Sequence, residues 1–73
     1  MKEYEFTVLL TREEDGRYTV ICPSLEGCYS QGNTEAEALD MIRDAIRLHI
    51  VDRLANKEPV PPEVAVSKIR VAV

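Results

Sequence analysis

Tryptophan is absent from this 73-residue chain, and one Phe and three Tyr are its only aromatic residues. Few large side chains are available to fill a core, and a chain of this length hides only about 60% of its unfolded surface on folding. Three glycines and four prolines are too few for a low-complexity or collagen-like chain. No apolar run approaches the ~20 residues that a membrane span requires. Met1-Lys2 leads straight into Glu3-Tyr4-Glu5, so charge stands where the apolar part of a leader would lie. A cytoplasmic location is the resulting expectation. Basic residues are also in deficit, nine against thirteen acids, for a net charge of −4. Affinity for nucleic acid rests on Lys and Arg neutralising phosphates, so no direct nucleic-acid partner is expected. A basic protein suits the charge better.

Cysteine is scarce as well. Cys22 and Cys28 are one pair without an export signal, which is too little for a disulfide framework. With His49 they fall short of the four ligands of a structural zinc site. Both are expected to be free, buried thiols.

What is present is ordered by periodicity. Tyr4, Phe6, Val8 and Leu10 alternate with Glu3, Glu5, Thr7 and Leu9, which predicts a half-buried strand. Glu13-Glu14-Asp15-Gly16 interrupts it with an Asp-Gly turn signal. Tyr18, Val20 and Cys22 then alternate through a second strand, which Pro23 ends because it has no N–H for the ladder. A turn at 23–27 and a short third strand at 28–31 follow. Thr34-Glu35-Ala36-Glu37 is a capping box, and it opens a helix running to about residue 55. Ala38, Leu39, Ile42, Ala45, Ile46, His49 and Ile50 form the apolar stripe of that helix. After Pro59, Pro61 and Pro62, the Val- and Ile-rich stretch 64–73 predicts a last strand. The chain reads as one α+β domain, residues 1–73, of order β-β-β-α-β, with one helix packed on one face of an antiparallel sheet. One helix cannot also cover Leu9, Ile21 and the apolar side chains of the last strand, and an uncovered apolar patch marks an interface. A homo-oligomer, dimer or tetramer, is expected.

No catalytic constellation emerges, and neither a metal nor a cofactor is expected. His49 lies on the helix stripe, distant in sequence from Cys22 and Cys28, so no base stands beside a nucleophile. Glu13, Glu14 and Asp15 are consecutive at a hairpin tip, and neighbouring side chains there point in different directions.

Three motifs stand in fixed register: Glu14-Asp15-Gly16-Arg17-Tyr18, Cys22-Pro23-Ser24-Leu25-Glu26-Gly27-Cys28, and Ser30-Gln31-Gly32-Asn33-Thr34-Glu35-Ala36-Glu37-Ala38. Together they resemble the HicB-like antitoxins, over about residues 4–73. The resemblance implies a partial RNase-H-like fold without nuclease activity. It also implies a partner: a HicA-type mRNA-cleaving toxin, small and basic, that the domain binds and masks. The matching positions Gly16, Tyr18, Pro23, Leu25, Gly27, Cys28, Gly32, Thr34, Glu37 and Ala38 are read as turn, packing and capping residues. The candidate contact with the partner is the acidic tip, Glu13, Glu14 and Asp15. Many members of the family continue into a DNA-binding domain; this chain ends at Val73, so no such domain is expected. The alternative reading is a stand-alone oligomeric HicB-like module that binds another protein or a small ligand.

The cap assignment makes a direct prediction. Thr34→Ala is expected to lower unfolding stability by about 1 kcal/mol, measured by urea denaturation, and an unchanged midpoint would remove Thr34 from the helix start.

Overall fold

The computed structural model describes residues 2–73. Three strands, β1 (Leu9–Arg12), β2 (Tyr18–Ile21) and β3 (Tyr29–Gly32), are followed by one helix, α1 (Glu35–Ala55). The strands pair antiparallel in the order β1-β2-β3, with Leu9 opposite Ile21 and Ile21 opposite Tyr29. The sheet of three antiparallel strands followed by one helix is therefore as the sequence pattern predicts. Two predicted boundaries differ.

The first difference is where pairing begins. The alternation from Tyr4 predicts a strand from that point, but β1 starts at Leu9. The cause lies in β2, whose ladder ends at Ile21 before Pro23, so residues 2–8 overhang the end of their partner. Their inward positions still pack: Phe6, Val8 and Leu10 lie against the core. The second difference is the predicted strand at 64–73, which does not form; among the described residues this stretch pairs with no strand. Its β-rich composition has no strand beside it in the chain, and strand propensity without a ladder partner makes no sheet.

Local chemistry accounts for the turns. Glu13 and Gly16 close the first one, with the Gly16 N–H donating to the Glu13 carbonyl at 2.9 Å and the Glu13 N–H to the Arg17 carbonyl at 2.7 Å. Gly16 adopts φ +90°, a conformation that a side chain with a Cβ resists. The Asp15 carboxylate accepts from the Arg17 N–H at 3.0 Å and from Arg17 Nε at 2.9 Å. Between β2 and β3 the chain turns back on itself. The Cys22 N–H donates to the Cys28 carbonyl at 3.0 Å, and the Leu25 N–H to the Cys22 carbonyl at 3.1 Å. This turn drives Leu25 into the core, where it is 1% exposed.

The helix begins as its cap requires, with the Glu37 N–H donating to Thr34 Oγ1 at 3.1 Å. Of the two bonds expected of the capping box, the structure makes this one. Glu35 and Glu37 place negative charge in the first turn, where the helix dipole favours it. At the other end the Glu58 N–H reaches the Arg53 carbonyl and the Lys57 N–H the Leu54 carbonyl. That is a Schellman closure, made with Lys57 at φ +57°.

Val20, Cys22, Leu25, Cys28, Ala38, Ile42 and Ile50 form the buried core. Ala38, Ile42 and Ile50 come from the predicted helix stripe, with Leu39, Ala45, Ile46 and His49 half-buried beside them. Cys22 and Cys28 are free thiols, and burial pushes both up from the ordinary thiol range. The sheet and helix meet most closely at Gly32. A Cβ built there would stand 2.5 Å from the Ala38 nitrogen and 2.9 Å from its Cα. Backbone lies against backbone, so no side chain can swing aside to make room.

Gly32→Ala is therefore expected to destabilise by about 1–3 kcal/mol, the cost of overpacking a tight site, and more if β3 is pushed off the helix. Urea denaturation checks this, and a parental midpoint would mean that the helix start moves freely against β3.

Candidate interaction surface

Three surfaces bear on what this fold can bind. The first is the hairpin tip, where Glu13, Glu14 and Asp15 are all exposed. The structure separates their roles. Asp15 is engaged by Arg17, whose N–H, followed by its guanidinium, holds the carboxyl below its ordinary range. The Glu13 carboxylate accepts from the Thr19 hydroxyl across the hairpin. Glu14 has no hydrogen bond or ion pair among the described residues. Of the three tip residues expected to contact a partner, Glu13 and Asp15 are engaged within the hairpin and Glu14 is exposed.

The second surface is the sheet face turned away from the helix. Pairing aligns Leu9, Ile21 and Tyr29 in one row across all three strands. They are exposed by 46, 45 and 69%, an apolar stripe beside the polar row Thr11, Thr19 and Gln31. Leu9 and Ile21 are exposed here as the pattern predicts. Tyr29 was missed, because only the observed register brings it into line with them.

The third surface is a groove between the overhanging residues 2–8 and one flank of α1. Tyr4 and Phe6 form one wall, their rings 6.5 Å apart and stacked at 20°. Ile46, Ile50, Val51 and Leu54 form the other, enclosing about 460 Å³, with Lys2, Arg43 and Arg47 at the rim. Sequence reasoning missed this groove, since it exists only because β1 pairs over four residues and leaves its own start hanging beside the helix.

A clamp ties the linker to the residues that follow β2. Ser24 Oγ donates to Glu63 at 3.3 Å, and the Val64 N–H donates to Ser24 Oγ at 3.1 Å. The Thr7 N–H is the chief group holding the Glu63 carboxyl below its usual range, with the Val64 N–H and the Ser24 and Thr7 hydroxyls adding to it. A carboxylate 56 positions along the chain thus serves the backbone of Thr7 beyond the end of β2.

The remaining chemistry is sparse. His49 Nε2 accepts from Arg53 Nε at 2.9 Å, and the Arg53 guanidinium also reaches the Pro59 carbonyl at 3.1 Å. The imidazole is a helix-end brace, and no nucleophile stands against it among the described residues. The residues carried by the family resemblance are placed as follows. Gly16 and Gly27 turn the chain at positive φ, Leu25, Cys28 and Ala38 are buried, Tyr18 packs against the core, and Thr34 caps α1. Pro23 stays exposed after the last paired residue of β2, Gly32 is buried against the helix start, and Glu37 supplies the capped N–H. No helix among the described residues is long and apolar enough to cross a membrane.

Comparison with known proteins is consistent across the fold. Residues 6–72 match the family model described as the HicB_like antitoxin of bacterial toxin-antitoxin systems. A UPF0150 protein of Synechocystis sp. is 50% identical over 60 residues, which cover 82% of this chain and 76% of that protein. A UPF0150 protein of Thermoplasma acidophilum is 44% identical over 57 residues, covering 78% and 83%. A second UPF0150 protein of Synechocystis sp. is 39% identical over 64 residues, covering 88% and 89%. No solved structure matches.

The Glu63 clamp predicts a pH dependence. A carboxyl whose value is lowered by folding contributes stability that is complete above its ordinary pKa and is lost as pH falls through the lowered one. Asp15 acts in the same direction. Stability followed by urea denaturation is therefore expected to fall as pH drops below the ordinary carboxylate range, and to fall less in Glu63→Gln. Identical pH profiles would show that the clamp does not bear on folding.

Proposed function

The chain belongs to the HicB-like antitoxin family, and from that premise we propose that it binds and masks a HicA-type mRNA-cleaving toxin without catalysing a reaction of its own. The single observation that carries this reading is the family match across residues 6–72, which spans every strand, the helix and the linker. The charge supports it: a −4 chain attracts a basic ribonuclease, and complementary potentials raise the rate of encounter. Glu14 is the residue of the tip proposed to meet the toxin, because Glu13 and Asp15 spend their carboxylates on Thr19 and Arg17.

Self-association is part of the same proposal. The row Leu9, Ile21 and Tyr29 and the groove beside Phe6 are two apolar surfaces that one helix leaves uncovered, and such surfaces favour association. The reading is thus a cytoplasmic, oligomeric protein-binding module.

The test is binding to a basic HicA-type protein, followed by stopped-flow association. Glu14→Lys is expected to slow association about two- to threefold at low salt and to have little effect at 0.5 M salt, where charges are screened. Thermal stability is expected to stay within about 0.5 kcal/mol, as for most surface changes. An unchanged rate would remove the tip from the interface. Absence of binding to any HicA-like protein would leave the module to another protein or small ligand.

A further inference from the structure

Residues 64–73 carry a strand's pattern without a strand's partner. Ile69, Val71 and Val73 alternate with Lys68, Arg70 and Ala72, yet Ile69 is 86% exposed. The stretch extends the molecule. Its radius of gyration is 14.3 Å, against about 11 Å for a compact chain of this length. An exposed apolar strand is a template for pairing.

The fold also offers an edge that lacks a strand. Order β1-β2-β3 leaves one side of β1 unpaired, and residues 2–8 continue that free edge over the groove. Here too the positions alternate. Tyr4, Phe6 and Val8 face the helix side, while Glu3, Glu5 and Thr7 occupy the other parity. Residues 68–73 would extend about 20 Å as a strand, the same length as residues 3–8.

Charge identifies the occupant. The arm carries Lys68 and Arg70 and no acid, whereas residues 1–63 hold the other seven basic residues and all thirteen acids, a balance of −6. A basic toxin is repelled by such an arm and attracted by the rest of the chain. A second copy of this chain is attracted by it, and specifically at Glu3 and Glu5. The arm's point of departure matters as well. The bonds from Ser24 and Val64 anchor its root beside Thr7 and the residues that follow β2. Among the described residues the arm pairs with no strand of its own chain, and the β1 edge of a partner is open in the same way.

We propose that residues 64–73 add as a strand to the free edge formed by residues 3–12 of a second copy. Ile69, Val71 and Val73 enter the partner's groove, and Lys68 and Arg70 lie beside its Glu3 and Glu5. The exchange is reciprocal, so it closes as a two-fold dimer and leaves no further arm to extend a chain of copies. The inference rests on the self-association proposed above and assigns it a structure. Each exchanged arm replaces an unpaired edge by a ladder, adds cross-strand pairs of opposite charge and covers the groove with apolar side chains.

Light scattering on the full chain at tens of micromolar, together with amide exchange, tests it. Parent protein is expected at twice the 8.3 kDa chain mass or a higher even multiple, with slowed exchange at residues 64–73. Ile69→Pro combined with Val71→Pro removes two ladder donors and is expected to halve the mass at unchanged helical circular dichroism. Lys68→Glu with Arg70→Glu keeps the backbone intact and is expected to weaken dimerisation at least fivefold at low salt, an effect that 1 M salt erases. If the proline variant fails to fold, the charge variant decides. A parent that is monomeric overturns both the self-association and the arm. Variants that keep the parental mass overturn the arm alone and leave the Leu9, Ile21 and Tyr29 face as the interface. Slowed exchange at 64–73 in a monomer means that the arm pairs within its own chain, which also overturns the proposal.

Discussion

Everything in this fold is referred to the place where Gly32 lies against Ala38. The helix N-terminus approaches β3 so closely that even a Cβ at Gly32 would meet the Ala38 backbone. With Thr34 capping the first turn only two residues later, the direction in which α1 leaves the sheet is fixed. The 21-residue helix is about 31 Å long, so a small rotation at its start displaces Ile50 by several ångströms. The core from Ala38 to Ile50 can close over Val20, Cys22 and Leu25 only if that start is held.

Because the helix is pinned at β3, it covers the sheet unevenly. Its flank runs past the start of β1, and Phe6, Val8 and Ile46 remain only partly buried. The chain has few large side chains to fill this space, having no tryptophan and a single phenylalanine. Small domains bury a modest fraction of their surface, and here exposed apolar side chains line the groove, the sheet row and the last ten residues. Association is the general remedy for a core that one chain cannot complete.

The charges are distributed with the same economy. Two of the three tip carboxylates are bound within the hairpin, and Glu63 serves the backbone of Thr7 and the hydroxyl of Ser24. Acidity that looks uniform in the composition therefore splits into carboxylates that hold the fold and others, including Glu14, Glu3 and Glu5, that are open to solvent. The basic residues of the last ten positions are likewise separated from the acidic remainder of the chain.

The amino-acid sequence by itself determined the local elements. Asp15-Gly16 makes its turn with neighbours one to three residues away, Thr34 caps with Glu37, and the period of Ala38, Ile42 and Ile50 marks the buried face of α1. These are short-range effects, and a pattern of periods and turn residues contains them. The family motifs were legible for the same reason, as turn, cap and packing positions in fixed register. What only the tertiary structure decided is non-local. Pro23 ended β2 and so moved the start of β1 from Tyr4 to Leu9. Glu63 found Thr7 and Ser24, Tyr29 joined Leu9 and Ile21 in one row, and the strand expected at 64–73 stayed unpaired. Strand propensity records what a residue favours once a neighbour is present, and whether a neighbour is present depends on contacts made tens of residues away.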